Sequence, residues 1–557
     1  MRRSSPRLVF ALLLFAGFVF RLGFGLSKEL FSDDETQIYL LGLRFHATHQ
    51  WPYFGPDVVW TQSEIPGALQ ALLVGLPLDV VPIPEAPYVF LNVLSMGALC
   101  LFAAYLSARL PTVPRWLIWA WLLTIPWTLE YSTHILNTSY VLPASIVFFI
   151  AFFEAWPVLS IGRVPVNVAH LMMGAALGWM FQIHMSWPLL LPFAGVAFLY
   201  RMRDGARAFA GATAAFALGL LLTISLALPT FIASAELSGA GDTGQNLLLH
   251  WRNPLTTGLN TMARIFSFAS FEVGRFIASA ADGSPIVFLA ERWWLVPVAG
   301  FVWIVGIIHP LFMAVTAFRR SAQREWPAVR WMTIATVVLV SASFFLVMQP
   351  AQARSFYVVA PVGFLFAAYC WTFIDSPRWR RVAVVVLVAN VMFQSALAIQ
   401  RLSGPSLYMK RAVVAEAIRV RQPGLLAYRR PWARNVPAED RMSADASAKA
   451  VVDLKVTDAQ LQLVRGLATW SIVVHNQSAT TAYRSMVCLT RYYDAADKLV
   501  DERINEVWLV LEPGESVRDR VIDAVRWTPD MARGEVVIRS ADAIAPMPPS
   551  QPTGRQP

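Results

Sequence analysis

Charge is what this 557-residue chain has least of: 15% of its residues are Asp, Glu, Lys or Arg, against roughly 25% in a soluble domain. With 56% hydrophobic residues and a mean hydropathy of +0.50, that deficit excludes an ordinary cytosolic enzyme. Cysteine is almost as scarce. Cys100 and Cys370 lie in apolar runs and Cys488 stands alone, so no disulfide framework, zinc spacing or redox pair can be built from them. The formal net charge of +10 comes without any run of five or six basic residues, which argues against nucleic acid as a partner and assigns the excess to loops that obey the positive-inside rule. No small-residue cleavage site follows Arg2, Arg3, Arg7 and the apolar Leu8–Phe20, so the amino terminus reads as a retained signal anchor.

The deficit is uneven. Residues 1–400 carry 42 charged side chains and residues 401–557 carry 40, so a membrane-like body and a soluble-like tail join near residue 400. Apolar segments long enough to cross the hydrocarbon core as helices fall at about 8–26, 87–107, 116–130, 138–156, 167–183, 187–200, 209–232, 292–317, 330–348, 355–374 and 382–400. The turns holding Arg109/Arg115, Arg163, Arg201/Arg203/Arg207, Arg319/Arg320/Arg324 and Arg378/Arg380/Arg381 fall on alternate sides. A cytoplasmic amino terminus puts them all in the cytoplasm. Eleven crossings then leave the tail outside, in a multi-pass protein of the inner or plasma membrane.

Ile65–Leu78 does not fit as a crossing, because counting it would reverse every later turn. It is expected to lie along the membrane surface, with a second such helix at about 34–48, in a long outer loop spanning 27–86. A second long outer segment runs 233–291. Loops of this size are usually functional. After a proline-bearing connector at 401–445 the pattern turns to period two: Trp470–Asn476, Tyr483–Tyr493 and Val507–Leu511 alternate, predicting a small all-β immunoglobulin-like sandwich over 446–545. Residues 546–557 are expected to be disordered.

The strongest local feature is Ser32-Asp33-Asp34-Glu35, directly after the first span. Two readings are open. Ser32 or Asp33 can cap a helix while Asp34 and Glu35 favour its dipole. Alternatively, one carboxylate is a general base for an acceptor hydroxyl, with Asp34 first and Asp33 and Glu35 close behind. A divalent metal on these acids is a further option, without His-rich spacing to support it.

A span, then acids opening an outer loop, then Tyr39 and the aromatic run Gln50-Trp51-Pro52-Tyr53-Phe54-Gly55-Pro56 resembles the GT-C membrane glycosyltransferases, most of all their protein O-mannosyltransferase and lipid A aminoarabinose transferase branch. Glu64-Ile65-Pro66-Gly67 partly matches that family's Pro-Pro-Leu opening of the second surface helix. Arg354-Ser355-Phe356-Tyr357…Pro361 resembles its Arg-Tyr…Pro segment ahead of a late span. The resemblance covers roughly residues 8–400. It implies transfer of a sugar from a polyprenyl-phosphate donor to an acceptor hydroxyl at the outer face, the acceptor being a glycan, lipid or protein.

An arginine in an outer turn can pair bidentately with a donor phosphate, which makes Arg354, with Tyr357 beside it, a candidate; the other reading is a snorkelling helix-end arginine. Glu64 or Glu130 could supply the second acid that relatives carry. Glu130, His134 and Asn137 cluster in the turn after the third span. Gln182 and His184 end a span before Ser186, where relatives place Thr-Lys; this chain has no lysine there. Arg252, Arg264 and Arg275 in the second long loop either meet phosphate or are solvated.

In the tail, Trp470-Ser471-Ile472-Val473-Val474-His475-Asn476-Gln477-Ser478, Tyr492-Tyr493-Asp494-Ala495-Ala496-Asp497-Lys498 and Pro513-Gly514-Glu515-Ser516 resemble FxLYD-type modules, with Asp497 where those carry Gly. His475, Tyr492 and Tyr493 read as core or turn residues. Two rival functions remain: a lipid or sugar transporter or flippase, which would place charge at mid-membrane depth, and an inactive GT-C-like scaffold presenting the sandwich.

Overall fold

The computed structural model describes residues 6–28, 33–58, 63–233, 251–280, 285–321, 323–346, 353–374, 376–402, 414–415, 418, 452–464, 467–507, 511, 513–528 and 530–544. The chain divides near residue 407 into two compact units. The connector expected at 401–445 lies mostly outside the described residues, and the tail expected at 546–557 lies wholly outside them.

The first unit is helical. Its elements are α1 (Pro6–Leu26), α2 (Asp33–Thr48), a short hairpin of β1 (Phe54–Val58) and β2 (Ser63–Pro66), α3 (Leu69–Val80), α4 (Ala86–Arg109), α5 (Arg115–Thr124), α6 (Pro126–Glu130), α7 (Asn137–Ala155), α8 (Val166–Phe181), α9 (Leu191–Arg203), α10 (Ala206–Ile224), α11 (Leu228–Ala233), α12 (Pro254–Phe266), α13 (Val273–Ala280), α14 (Pro285–Glu291), α15 (Leu295–Ala317), α16 (Trp326–Ser343), α17 (Ala360–Trp371) and α18 (Pro377–Leu402). All eleven predicted apolar segments are helical. Among the described residues seven helical segments are long and apolar enough to cross a membrane, two of them, Ala206–Ile232 and Ala353–Trp371, running through a 3-10 turn. The remainder are short or broken; the third predicted segment bends at Pro126, where a missing N–H and a fixed φ interrupt the helix between α5 and α6.

One expectation changes in detail. The helix expected over Ile65–Leu78 begins at Leu69, because Pro66 closes strand β2 and Gly67 takes φ +111, a conformation that a side chain resists. Among its described residues the second long segment, 233–291, carries α12, α13 and α14. A signal for α12 was readable, since Asn253 precedes Pro254 and its side chain accepts from the Leu255 and Thr256 N–H groups at 3.0 and 3.2 Å.

Helices α8 and α10 meet backbone to backbone along three glycines. A β-carbon at Gly174 would lie 2.0 Å from the Phe216 carbonyl oxygen, one at Gly219 1.9 Å from that of Leu171, and one at Gly178 2.2 Å from the Thr223 hydroxyl. Small residues at four-residue spacing permit this approach where lipid removes the usual hydrophobic drive.

The second unit contains two three-stranded antiparallel sheets. One has the order β3 (Leu454–Val464), β4 (Leu467–Asn476), β7 (Ser516–Arg526); the other has β6 (Leu499–Val507), β5 (Ala482–Tyr493), β8 (Arg533–Ile544). Inward residues of both sheets, among them Trp470, Ile472, Val474, Met486, Cys488, Tyr492 and Ile538, share one core. The indole of Trp470 donates to the Tyr492 hydroxyl at 2.9 Å. The strand expected at Val507–Leu511 meets the end of β6 at Val507; residues 508–510 lie outside the described residues, and Leu511 forms an isolated bridge with Tyr483. Asp497 takes φ +61, the left-handed conformation for which glycine is the low-cost residue. The Asp494 carboxylate, which accepts from the N–H groups of Ala496 and Lys498 at 2.9 Å each, holds this turn.

Candidate functional site

The short helix α6 and the turn after it, residues 126–137, are tied to four other parts of the first unit. The Trp127 N–H donates to the Phe268 carbonyl at 3.0 Å, and its indole donates to the Ala353 carbonyl at 3.1 Å. Asn92 of α4 donates to the Thr133 carbonyl at 3.2 Å. Gly25 of α1 lies so close that a β-carbon there would stand 2.0 Å from the Thr133 oxygen. Arg21, fully buried in α1, donates to the carbonyls of Leu123 and Thr128 at 2.9 and 3.2 Å and to the Ser132 hydroxyl at 2.8 Å. One arginine thereby satisfies the Leu123 carbonyl freed by the break at Pro126 and the Thr128 carbonyl near the end of α6.

This clamped turn presents two carboxylate centres. Glu130, buried at the end of α6, accepts from the Lys28 ammonium just beyond α1. The Arg401 guanidinium at the end of α18 stands 4.0 Å from its other oxygen. The second centre is Glu272, in the 3-10 turn Ser270–Glu272. It accepts from Arg264, from the Tyr131 hydroxyl at 2.8 Å and from the Ala353 N–H at 3.0 Å, with Arg275 at 3.7 Å. Burial, and after it the Glu272 charge, holds the Tyr131 phenol well above its usual pKa, so it stays a donor. His134 is held well below its usual value, first by burial and then by Lys28 and Arg401; it is a neutral imidazole.

Hydrogen-bonding capacity is left over here. Glu130 Oε1, His134 Nδ1 and Arg401 Nη1 are buried without a hydrogen-bond partner among the described residues. Buried polar groups are normally hydrogen-bonded, and these three stand close together, with Arg401 4.0 Å from Glu130.

The structure brings some of the sequence candidates together. Glu130 and His134 share the turn. Tyr357 packs over it, its ring 5.4 Å from Trp127 and 6.2 Å from Tyr131. Arg354 directly follows Ala353, whose N–H and carbonyl bind Glu272 and Trp127. The 3-10 turn Trp187–Leu190, just after His184, packs against the turn Ala353–Val359. His184 itself meets the Ser186 hydroxyl at 2.7 Å. Of the loop arginines, Arg264 and Arg275 converge on Glu272, whereas Arg252 donates to the Phe344 carbonyl.

Gln182 packs at the junction of the β1–β2 hairpin with α8 and α10. It is buried against Gly67, donating to the carbonyls of Gly178 and Thr223 at 3.2 and 2.8 Å. Asp33, Asp34 and Glu35 form the first turn of α2, and Glu64 lies in β2; the side chains of all four lie outside the described residues. Five residue steps separate Lys28 from Asp33, so the acid turn starts within about 18 Å of Lys28. Among the described residues no group of three His, Cys, Asp or Glu side chains could hold a metal ion. Sequence reasoning missed Lys28, Glu272 and Arg401. Only Glu272 left a local signal, being the acid between Arg264 and Arg275.

No family model matches the chain, and no curated protein matches it in sequence. Among solved structures it is similar to the crystal structure of ArnT from Cupriavidus metallidurans bound to undecaprenyl phosphate, with 14% identity over 74% of this chain and 75% of that one and a TM-score of 0.44. It is similar to the apo state of that protein at 14% identity, 81% and 82% coverage and TM-score 0.43. It is also similar to the arabinosyltransferase EmbB from Mycobacterium smegmatis, at 11% identity, 98% and 66% coverage and TM-score 0.32.

Proposed function

We propose that this protein is a membrane glycosyltransferase that moves a sugar from a polyprenyl-phosphate donor to an acceptor hydroxyl at the outer face of the membrane, with inversion at the anomeric carbon. The observation that carries this reading is the convergence of Lys28, Arg401, Arg264 and Arg275 around two buried carboxylates, with Arg354 adjoining, at one end of an apolar helical bundle. A donor with a polyprenyl tail is confined to the bilayer, so its phosphate sits at headgroup level. An enzyme for it has to collect cations at helix ends, where this site collects them.

The chemistry assigned to the residues is a single displacement. Asp34, with Asp33 and Glu35 as neighbours, accepts the proton of the acceptor hydroxyl. The oxygen bonds to the anomeric carbon as the carbon–oxygen bond to phosphate breaks, and the electron pair leaves on the polyprenyl phosphate. Arg354 pairs with that phosphate and stabilises its growing charge. Neutral His134 and Glu130 face the same space as hydrogen-bonding groups for the sugar, and His184 and Tyr357 border it. Attack from the face opposite the leaving phosphate inverts the anomeric centre.

The test is sugar transfer in membranes from a radiolabelled polyprenyl-phosphate sugar, comparing wild type with Asp33→Asn, Asp34→Asn and Arg354→Ala at matched protein levels. The reading expects at least one of the aspartate variants and Arg354→Ala to lose transfer. Near-normal transfer in all three would sink it.

A further inference from the structure

We propose that the groove between α5, α15 and α18 binds an anionic phospholipid, distinct from the donor described above. A cavity of about 840 Å³ runs along these helices. Thr112, Arg320 and Arg380 line it toward one end and Phe268 and Asn390 toward the other, with the Trp371 ring reaching inward to the Trp121 and His309 rings that Phe268 also touches. The α18 positions lining it run from Arg380 to Asn390, which at 1.5 Å per residue is about 15 Å, half of a 30 Å hydrocarbon core. The groove therefore has the length of one leaflet. Its α15 wall opens sideways, with Ile304 48% and Ile308 58% exposed, so a chain can enter from the bilayer.

The charge at its mouth selects the headgroup. The two turns that meet there, 318–325 and 375–381, hold six arginines against two acids. Arg320 and Arg380 line the cavity itself, with Ser321 and Gln323 as polar neighbours. An arginine fork matches a phosphate, and basic pockets between membrane helices favour anionic lipid headgroups. The donor cannot be this occupant. Thr112 and Trp371 at the mouth lie within three residues of Arg109 and Tyr369, which bond to each other at the end of α4; the Lys28 and Glu130 cluster sits at the far ends of α1, α6 and α18. A phosphate at Arg320 is therefore at the wrong end of the bundle to be the leaving group.

The inner end of the groove abuts an unusual backbone. Phe268 and Ala269 take φ values of +49 and +66, where non-glycine residues are strained, and the turn continues to Glu272. An acyl chain in the groove packs on this turn from behind.

The test uses the purified full chain and native mass spectrometry in detergent, with dioleoyl phosphatidylglycerol and dioleoyl phosphatidylcholine added in turn and glycerol 3-phosphate as a headgroup control. The expected result is one retained phosphatidylglycerol, at least tenfold over phosphatidylcholine, with no retained glycerol phosphate. Arg320→Glu, and separately Ile308→Trp, which obstructs the opening, lower that retention at least tenfold. Both positions are exposed, so an unchanged thermal midpoint without lipid certifies each fold. Equal retention of the two lipids, retention of glycerol phosphate alone, or phosphatidylglycerol retention unmoved by both variants would overturn the proposal. Binding is read without any sugar-transfer assay, so this result stands or falls independently of the glycosyltransferase reading.

Discussion

The two ends of the helical bundle each bury a cation, a carboxylate and tyrosines, and they use them differently. At the end of α4, Arg109 donates to the hydroxyls of Tyr105 and Tyr369 at 2.8 and 3.4 Å and to the Leu159 carbonyl. Glu154, 4.0 Å from Arg109, accepts from Tyr105, Ser160, and the N–H groups of Ile161 and Arg163 at 2.7 to 3.2 Å. Both Glu154 oxygens are occupied, and of Arg109 only Nε lacks a partner. At the opposite end Glu130, His134 and Arg401 each keep an unpartnered atom among the described residues. The first network is closed and ties α4, α7 and α17 together. The second is open and faces the turn that every nearby element braces. The two clusters are alike in composition and differ in their carboxylates: both Glu154 oxygens accept hydrogen bonds, whereas Glu130 Oε1 accepts none among the described residues.

The sharpest way to break that contrast is at the acids of α2. Asp34→Asn is expected to reduce sugar transfer by about 10² to 10⁴-fold, the range for loss of a general base, with the amount of folded protein unchanged; a transfer assay on matched membranes measures it. At the closed end the reverse should hold. Arg109→Met leaves Glu154 buried without its cation and should destabilise the unit by about 3–5 kcal/mol, read as thermal unfolding in detergent, while transfer per folded molecule stays near wild type. Arg354→Ala is expected to lower transfer about 10²-fold, the effect of removing one charge-stabilising donor, with unfolding unchanged.

The smallest effect is a pH dependence. His134 has its folded-state pKa below the ordinary value of 6.5 because of burial, reinforced by Lys28 and Arg401. The unfolded chain therefore takes up a proton that the folded one refuses. Stability from this group is complete above pH 6.5 and falls by about 1.4 kcal/mol per pH unit below it, until His134 is itself protonated. His134→Gln should flatten the unfolding midpoint between pH 6.5 and 5. An equally steep slope in that variant would remove His134 from the account.

Much of the fold was legible because hydropathy and turn arginines are local signals. The eleven apolar segments, the helix opening at Asp33 and the period-two tail follow from windows of twenty residues or fewer. The site was legible only where its parts lie close in sequence, as Glu130 and His134 do. Lys28 and Glu130 are 102 residues apart, and Arg21 reaches its partners across 102 to 111; no window holds both members. Arg109 was legible as a turn charge and not as a buried anchor, since the positive-inside rule predicts a side and says nothing of depth. Gly67, a departure from the resembled motif, proved to be a packing requirement. A side chain there would collide with Gln182, a partner 115 residues away.

That collision leads back to the glycine contacts between α8 and α10. Gln182 extends α8, and its amide is pinned to the carbonyl of Thr223 on α10. Gly67 rests on Gln182, the Gly67 N–H holds the Tyr53 carbonyl at 2.9 Å, and the Ala68 N–H reaches the Leu226 carbonyl at 3.4 Å. The spacing of the two rods thus sets where the hairpin of β1 and β2 can rest. A single methyl at Gly174 or Gly219, driven against the carbonyl oxygen of Phe216 or Leu171, would act as a shim: it would pry the seam apart and tilt the hairpin of β1 and β2. Drift at these positions is therefore closed to the chain for a mechanical reason, even though no glycine among them takes part in any chemistry.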